Sequence, residues 1–217
     1  METPAIIAQK AHELFLNYGL RSVTMDTIAT ELGIGKSTIY KFFESKDALV
    51  EHFVEQAIQQ NTGNCKAFIK QGKDPIIELF FTMIYVQQLY QELTPAILHD
   101  LEKNHHKAYL AVIQHKEGFI IETIKTSIEK GIKQQLYQDD FNVAAMSRFF
   151  LESLLLISDK QIFSATAYKS IDLMEEIFGH LISGIATPAG TDVITHYKNH
   201  YRFTSVIPAL KQPFWED

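Results

Sequence analysis

Near the start of the chain, hydrophobic residues recur at helical spacing in two short segments that a glycine separates. The first segment follows the i, i+3, i+4, i+7 rule of an amphipathic helix with Met25, Ile28, Ala29 and Leu32. Thr24 precedes it, and threonine is a residue type that caps helix starts. The pattern therefore predicts a two-turn helix with one apolar face.

A second helix is predicted from Lys36 to Phe43, after a turn in which Gly33 ends the first helix. It would bury Ile39 together with one or both of Phe42 and Phe43. The outward face then consists of polar and basic residues: Lys36, Ser37, Thr38, Tyr40 and Lys41. Two helices joined by so short a turn are typical of the helix-turn-helix, whose second helix enters the DNA major groove.

The remainder of the chain is also predicted to be helical. One helix, from Pro4 to Tyr18, precedes the helix-turn-helix, and another begins at Ser45 and runs toward Thr62-Gly63-Asn64. Later helices are predicted from Pro75 to Leu93, Pro95 to Leu101, Asn104 to Gln135, from an Asp140 cap onward, Tyr168 to Ala186 and Asp192 to Tyr201. The sequence thus predicts an all-α protein.

The charge balance is acidic overall and basic at one edge. The net charge is -6, and residues 1–50 carry five basic against six acidic side chains, a sum of -1. From Gly33 to Lys46, however, three lysines stand against one acid. We expect this edge to contact phosphates, and the acidic remainder to weaken non-specific binding by repelling the duplex.

The stretch from Ile6 to Leu49 resembles the DNA-binding domain of TetR-family transcriptional regulators. The matching positions are Thr24, Ile28-Ala29, Gly33-Ile34, Thr38-Ile39-Tyr40, Phe42-Phe43 and Ser45-Lys46-Asp47-Ala48-Leu49. Gly35 departs from the pattern, which usually has a serine N-cap there, and Ser37 stands where a glycine or other small residue is frequent. The resemblance implies a three-helix helix-turn-helix DNA-binding domain at residues 1–50. It also implies a helical effector-binding and dimerisation domain at residues 51–217, with a homodimer formed through the last two long helices.

On this basis we predict which residues contact DNA. Phosphate contacts are expected from Thr38, Tyr40 and Lys46, groove or base-edge contacts from Lys36, Ser37 and Lys41, and a further contact from Thr24. A twofold dimer would read a palindromic operator in double-stranded DNA, with recognition helices about 34 to 36 Å apart or a multiple of that distance. The resemblance implies repression that a small-molecule effector relieves.

Aromatic residues are dense between Pro75 and Phe119, where they could line a ligand cavity or form ordinary core. Their spacing alone does not separate these two interpretations. The resemblance favours a cavity for a small, largely apolar ligand. For it we predict Phe80, Phe81, Tyr85, His105, Tyr109 and Phe149.

Histidines suggest a competing hypothesis of metal binding. Glu102 and His105 have the Glu-x-x-His spacing of di-iron helical bundles, and His196 and His200 lie four residues apart. A di-metal site needs a second Glu-x-x-His, which the sequence lacks, and two histidines are too few for a closed site. We therefore expect no metal and no other cofactor. An all-helical metal-dependent sensor or enzyme using Glu102 and His105 is the alternative function.

Other function classes lack their signatures. The sequence has no phosphate-binding glycine loop, nucleophile elbow or zinc-protease motif, so we expect no enzymatic activity. Cys65 is the single cysteine, which excludes an internal disulfide. Charges or amides interrupt every long apolar run, and the N-terminus does not read as a signal peptide. We expect a cytoplasmic protein that does not enter a membrane, and a helix-turn-helix used for protein contacts is a third possibility.

Overall fold

Eleven α-helices and one π-helical turn make up most of the part of the chain that the computed structural model describes, namely residues 3–70, 74–159, 162–164 and 170–200. They are α1 (Thr3–Tyr18), α2 (Met25–Leu32), α3 (Lys36–Tyr40), α4 (Lys46–Ile69), α5 (Pro75–Glu92), α6 (Pro95–Asn104), α7 (His106–Gln114), the π-helical turn (His115–Ile120), α8 (Ile121–Lys133), α9 (Val143–Ser158), α10 (Ser170–Ile185) and α11 (Pro188–His200). These residues contain no strand, apart from an isolated bridge between Tyr137 and Ala186. The all-α prediction is confirmed. Tyr168 and Tyr201, two predicted helix ends, lie outside the described residues.

Helix α4 is longer than predicted, because it continues to Ile69 beyond the segment 62–64. Cys65 and Phe68 are both buried in its last two turns. Gly63 is exposed, and a Cβ at this position would meet nothing within 4 Å. Packing of the apolar face therefore outweighs the weak helix propensity of one glycine.

The predicted single helix from Asn104 to Gln135 is interrupted. The chain forms α7, a π-helical turn and α8 in succession. At the π-helical turn the rings of His115 and Phe119 stack, with centroids 5.2 Å apart and an interplanar angle of 11°. A π-turn holds more residues than an α-turn, so the regular 3.6-residue pattern does not reveal it.

The chain divides into two compact units. Unit 1 lies within residues 1–64 and 88–119, and unit 2 within residues 65–87 and 120–217. In unit 1, α1 packs on α2, α2 on α3, and α6 on α7. Fully buried residues of the helix-turn-helix region form its core: Ile7, Phe15, Leu20, Ile28, Ile39 and Leu49. The ring of Phe15 meets that of Phe53 edge-on, with centroids 5.7 Å apart.

In unit 2, α9 packs on both α8 and α10, and the rings of Phe150 and Phe178 lie 6.1 Å apart. Residues 75–87 of α5 are buried on every face of the helix. Glu78 is the acid of this segment, and its carboxylate accepts a hydrogen bond from Lys130 at 2.8 Å. Among the described helices, none combines the length and the apolar character that a membrane crossing requires.

Close packing also fixes the loop that follows α8. Tyr137 is buried, and its ring covers Gly131, where an added Cβ would lie 2.1 Å from the ring carbon Cδ2. The same loop is tied to the end of α10, since the Gln138 N–H donates to the Ile185 carbonyl at 2.8 Å. A side chain larger than glycine at position 131 would displace this buried ring.

Candidate DNA-binding surface

Local hydrogen bonds fix where α2 begins and ends. Thr24 is the N-cap, and its Oγ1 accepts a hydrogen bond from the Thr27 N–H at 3.1 Å. At the other end Gly33 is left-handed, with φ 64° and ψ 29°, and its N–H donates to carbonyls in the last turn of α2. Other residue types rarely adopt this φ. The glycine therefore allows the tight reversal between the two helices.

The short helix α3 presents a polar surface because its aliphatic residue points inward. Ile39 is fully buried. The predicted DNA-contacting residues around it divide into exposed Lys36, Ser37, Tyr40 and Lys41, and half-buried Thr38. The N-cap, Gly35, has an extended backbone and supplies no side-chain hydrogen bond. The first turn of α3 is therefore exposed and carries no side-chain cap, as expected where a recognition helix meets base edges.

Lys36 does not stand alone on this surface. Its Nζ lies 2.8 Å from Oδ2 of Asp26 in the first turn of α2 and 6.0 Å from the ring centroid of Tyr40. The hydrogen bond to Asp26 raises the pKa of Lys36. The hydrophobic pattern of the sequence does not reveal this pair, because the partners are ten residues apart and lie on different helices.

Lys46 is bound to the protein itself. Its Nζ donates to the Leu20 carbonyl at 2.5 Å, so the start of α4 is tied to the loop between α1 and α2. Burial lowers the pKa of this lysine, opposed by the nearby carboxylates of Asp100 and Asp47. An ammonium group has three donors, so the bond to Leu20 leaves capacity for a phosphate oxygen. The phosphate role of Lys46 stays a prediction.

The two phenylalanines after α3 are less buried than expected. Phe42 is 47% exposed, and Phe43 is half-buried with its ring edge-on to His52 at 5.6 Å. The expectation that one or both are buried is wrong, although the N–H groups of Phe42 and Phe43 still donate to the Ile39 carbonyl, each at 3.0 Å, just beyond the end of α3 at Tyr40. Phe42 is a further exposed aromatic residue next to the predicted contacts.

The predicted ligand-binding residues fall in both units. In unit 2, Phe80, Phe81 and Tyr85 are buried on α5, and Phe81 stacks on Phe68 with centroids 4.0 Å apart. Burial raises the pKa of Tyr85 to about 12, so its phenol stays protonated and able to donate. Phe149 is 54% exposed on α9, apart from this buried group.

The other two predicted ligand residues, His105 and Tyr109, belong to unit 1 and are half-buried. Nδ1 of His105 lies 2.6 Å from Oδ1 of Asp47, in the first turn of α4. Because a carboxylate only accepts, this ring nitrogen is the donor of the hydrogen bond. The structure therefore directs His105 toward α4, and its role toward a ligand stays a prediction.

Within the described part of the chain, the structure brings no further metal ligands to Glu102 and His105. Within the residues that the structure describes, no group of three or more His, Cys, Asp or Glu side chains could hold a metal ion. Glu102 is exposed, whereas His105 faces Asp47. The side chain of His200 lies outside the described part of the chain.

Comparison with known proteins agrees with this surface. The family model described as bacterial regulatory proteins, tetR family, matches residues 7–53. The chain is 28% identical over 139 residues to the uncharacterized HTH-type transcriptional regulator YhgD of Bacillus subtilis (strain 168), covering 59% of this chain and 68% of that protein. It is 26% identical over 174 residues to the uncharacterized regulator YvaF of the same organism, covering 79% and 90% respectively. A TetR-family regulator from Marinobacter aquaeolei VT8 shares the fold, with a TM-score of 0.73, 20% identity, and coverage of 93% of this chain and 100% of that one.

Proposed function

This chain belongs to the TetR family of transcriptional regulators, and we propose that it is a homodimeric repressor that a small, largely apolar ligand releases from a palindromic operator. The observation that carries the proposal is the exposed first turn of α3, which has no side-chain cap. The buried side chain of Ile39 holds α3 against the core, and the left-handed Gly33 sets the angle between α2 and α3. Polar side chains are thereby presented where a recognition helix enters the major groove.

Contacts to the DNA would divide by position. Lys36, Ser37 and Lys41, exposed on or next to α3, would reach the groove, while Tyr40 and the half-buried Thr38 would contact phosphates. Thr24 and Lys46 would add phosphate contacts from the start of α2 and of α4. These contacts would be strongly salt-dependent, because each phosphate contact releases counterions.

The dimer would form through the outward faces of α9 and α10. Phe149 and Leu156, seven residues apart on α9, are 54% and 49% exposed. On α10, Ile177 and Leu181 are half-buried at a spacing of four. Large apolar side chains exposed at helical spacing are typical of a surface that a partner covers. We assign Phe149 to this interface in place of the ligand site.

The ligand would contact the aromatic part of unit 2. Phe80, Phe81 and Tyr85 lie on a helix that is buried all round, and Phe68 extends the same aromatic group. Such surroundings suit an apolar molecule, with the protonated Tyr85 hydroxyl as a hydrogen-bond donor.

Helix α4 would transmit ligand binding to the DNA-binding residues, because three of its residues contact the segment 105–115 within unit 1. Asp47 accepts from His105 at 2.6 Å, and Glu51 pairs with Lys107. In the third contact, Nε2 of His115 donates to the amide oxygen of Asn61 at 2.9 Å. A ligand can prefer a conformation in which the two recognition helices of the dimer are not spaced to fit the operator. It would then shift the population away from the DNA-binding conformation, by no more than the difference in its affinity for the two conformations.

Two experiments test the proposal. Nuclease protection should reveal a palindromic footprint in the DNA that flanks the chain's own gene, and Tyr40→Ala should weaken it. A panel of hydrophobic and aromatic metabolites tested by thermal shift should contain a compound that stabilises the protein and abolishes the nuclease protection of the operator. Absence of any footprint would reject DNA regulation, whereas a footprint that no compound alters would reject only the release by a ligand.

The transmission step has its own test. Asp47→Asn removes the charge that His105 contacts, so it should change the ligand concentration that dissolves the footprint. Lys66→Gln, an exposed change of charge near the other end of α4, serves as the control. An unaltered ligand response in Asp47→Asn would show that this contact does not carry the signal.

A further inference from the structure

We propose that Asp26 reads a base and that it acts with Lys36 as one unit, which selects a guanine–cytosine pair in each half-site. The proposal rests on the DNA-binding mode above and deepens it. No pattern in the sequence assigns Asp26 a contact with DNA, and its place in the structure does.

The pair stands at the end of the motif that enters the groove. Asp26 lies in the first turn of α2 and Lys36 is the first residue of α3, with 2.8 Å between carboxylate and ammonium. Their side chains are 70% and 44% exposed. Because the first residues of a recognition helix meet base edges, a group bound to Lys36 at this distance shares its position toward the duplex.

A carboxylate facing DNA is unfavourable at most positions. The duplex carries one negative charge for about every 1.7 Å of its axis, so Asp26 repels it in general. Asp26 can only accept hydrogen bonds, and the major groove offers it the amino groups of cytosine and adenine. The residue therefore restricts which sequences the protein tolerates, in addition to any affinity it supplies.

The order of hydrogen-bond donor and acceptor in Lys36 and Asp26 matches the major-groove edge of a guanine–cytosine base pair better than that of an adenine–thymine base pair. Guanine presents two adjacent acceptors, N7 and O6, followed by the amino donor of cytosine. Lys36 can donate to both acceptors while Asp26 accepts from the amino group. An adenine–thymine pair alternates acceptor, donor and acceptor and then presents a methyl group, so one acceptor would be left unmatched beside the carboxylate.

The ion pair also explains how an acidic protein would avoid unrelated DNA. While Lys36 is paired with Asp26, the two side chains together carry no net charge, so the pair attracts a phosphate less than a free lysine would. Replacing Asp26 by asparagine would free the ammonium group. On a duplex of random sequence, the Asp26→Asn variant should then bind more tightly. Its salt slope, which is the slope of the logarithm of the binding constant against the logarithm of the salt concentration, should steepen by roughly 1.

The test is selection of binding sites from a pool of randomised duplexes, followed by affinity measurements on the selected sequence. The proteins are wild type, Asp26→Asn, Lys36→Gln and the double variant. Glu31→Gln, which removes an exposed acid from the same helix near Lys10 instead of Lys36, is the matched control. Circular dichroism establishes that each variant is folded.

Wild type and Glu31→Gln should select a palindrome with a guanine–cytosine pair whose change to adenine–thymine weakens binding about tenfold. For Asp26→Asn this penalty should fall to about twofold, and in the Lys36→Gln background the Asp26 change should no longer steepen the salt slope. A full tenfold penalty in Asp26→Asn would overturn the proposal. If wild type selects no palindrome at all, the proposed function itself fails.

Discussion

The buried His115 should make the stability of the protein fall as the solution becomes mildly acidic. The residue is 8% exposed, and its ring stacks on Phe119 and donates to Asn61 on α4. Burial lowers the pKa of His115 to about 4, against about 6.5 for an exposed imidazole. Between these values the unfolded chain holds a proton that the folded chain does not, so stability is lost as the pH falls from 6.5 toward 4.

The linkage relation gives the size of the effect. From a pKa of about 6.5 unfolded and about 4 folded, lowering the pH from 7 to 5 costs the folded state about 2 kcal/mol. His12, whose pKa burial also lowers, contributes in the same direction. The contribution of His115 must therefore be read as a difference between wild type and a variant.

His115→Gln keeps a donor for Asn61 and removes the titrating group. Urea unfolding of both proteins at pH 7 and pH 5, at one protein concentration, should show a drop in the free energy of unfolding that is about 2 kcal/mol smaller in the variant. The exposed His106 provides the control, since His106→Gln should keep the full drop. Equal drops in wild type and His115→Gln would refute the assignment of this pH dependence to His115.

Three further predictions concern the helix-turn-helix and the packing of α8. Lys46→Gln, which removes a charge but keeps a donor, should weaken binding to operator and unrelated duplex alike and lower the salt slope by roughly 1; an unchanged slope would exclude a phosphate contact. Gly33→Ala should lower the free energy of unfolding by about 1 kcal/mol because of its left-handed φ of 64°, and Gly33→Asn by less; equal stability of Ala and Gly would contradict this. Gly131→Ala should lower the free energy of unfolding by about 1 to 3 kcal/mol, because the added methyl group displaces the Tyr137 ring. Gly63→Ala should raise the free energy of unfolding by up to about 1 kcal/mol, because the position is helical and has room for the methyl group. Thermal unfolding that ranks the two variants in the opposite order would reject the packing argument.

The helix-turn-helix could be predicted because its determinants are local. Thr24 caps α2 through a residue three positions away, and Gly33 ends the same helix through its own backbone. The burial of Ile39 follows from helical spacing within one short segment. Each of these features depends on residues that the sequence places side by side, so the pattern was sufficient.

Features that depend on distant residues could not be predicted in this way. The sequence pattern does not show that α4 continues past Gly63, because the burial of Cys65 and Phe68 comes from tertiary packing. The contact of Lys46 with Leu20 spans 26 positions. It gives Lys46 a partner within the protein that the sequence pattern did not indicate. Long-range pairing of polar groups has no periodicity, so hydrophobic spacing carries no information about it.

The discontinuity of unit 1 limits how the DNA-binding part can be exchanged between relatives. Residues 1–64 and 88–119 form one compact body, and the chain leaves it at residue 65 and returns at residue 88. Leu93 and Leu101, both fully buried, belong to the returning segment. A fragment that ends after α4 would lose this segment together with the partners of Asp47 and Asn61. A chimeric regulator with altered operator specificity should therefore inherit both segments from the same parent.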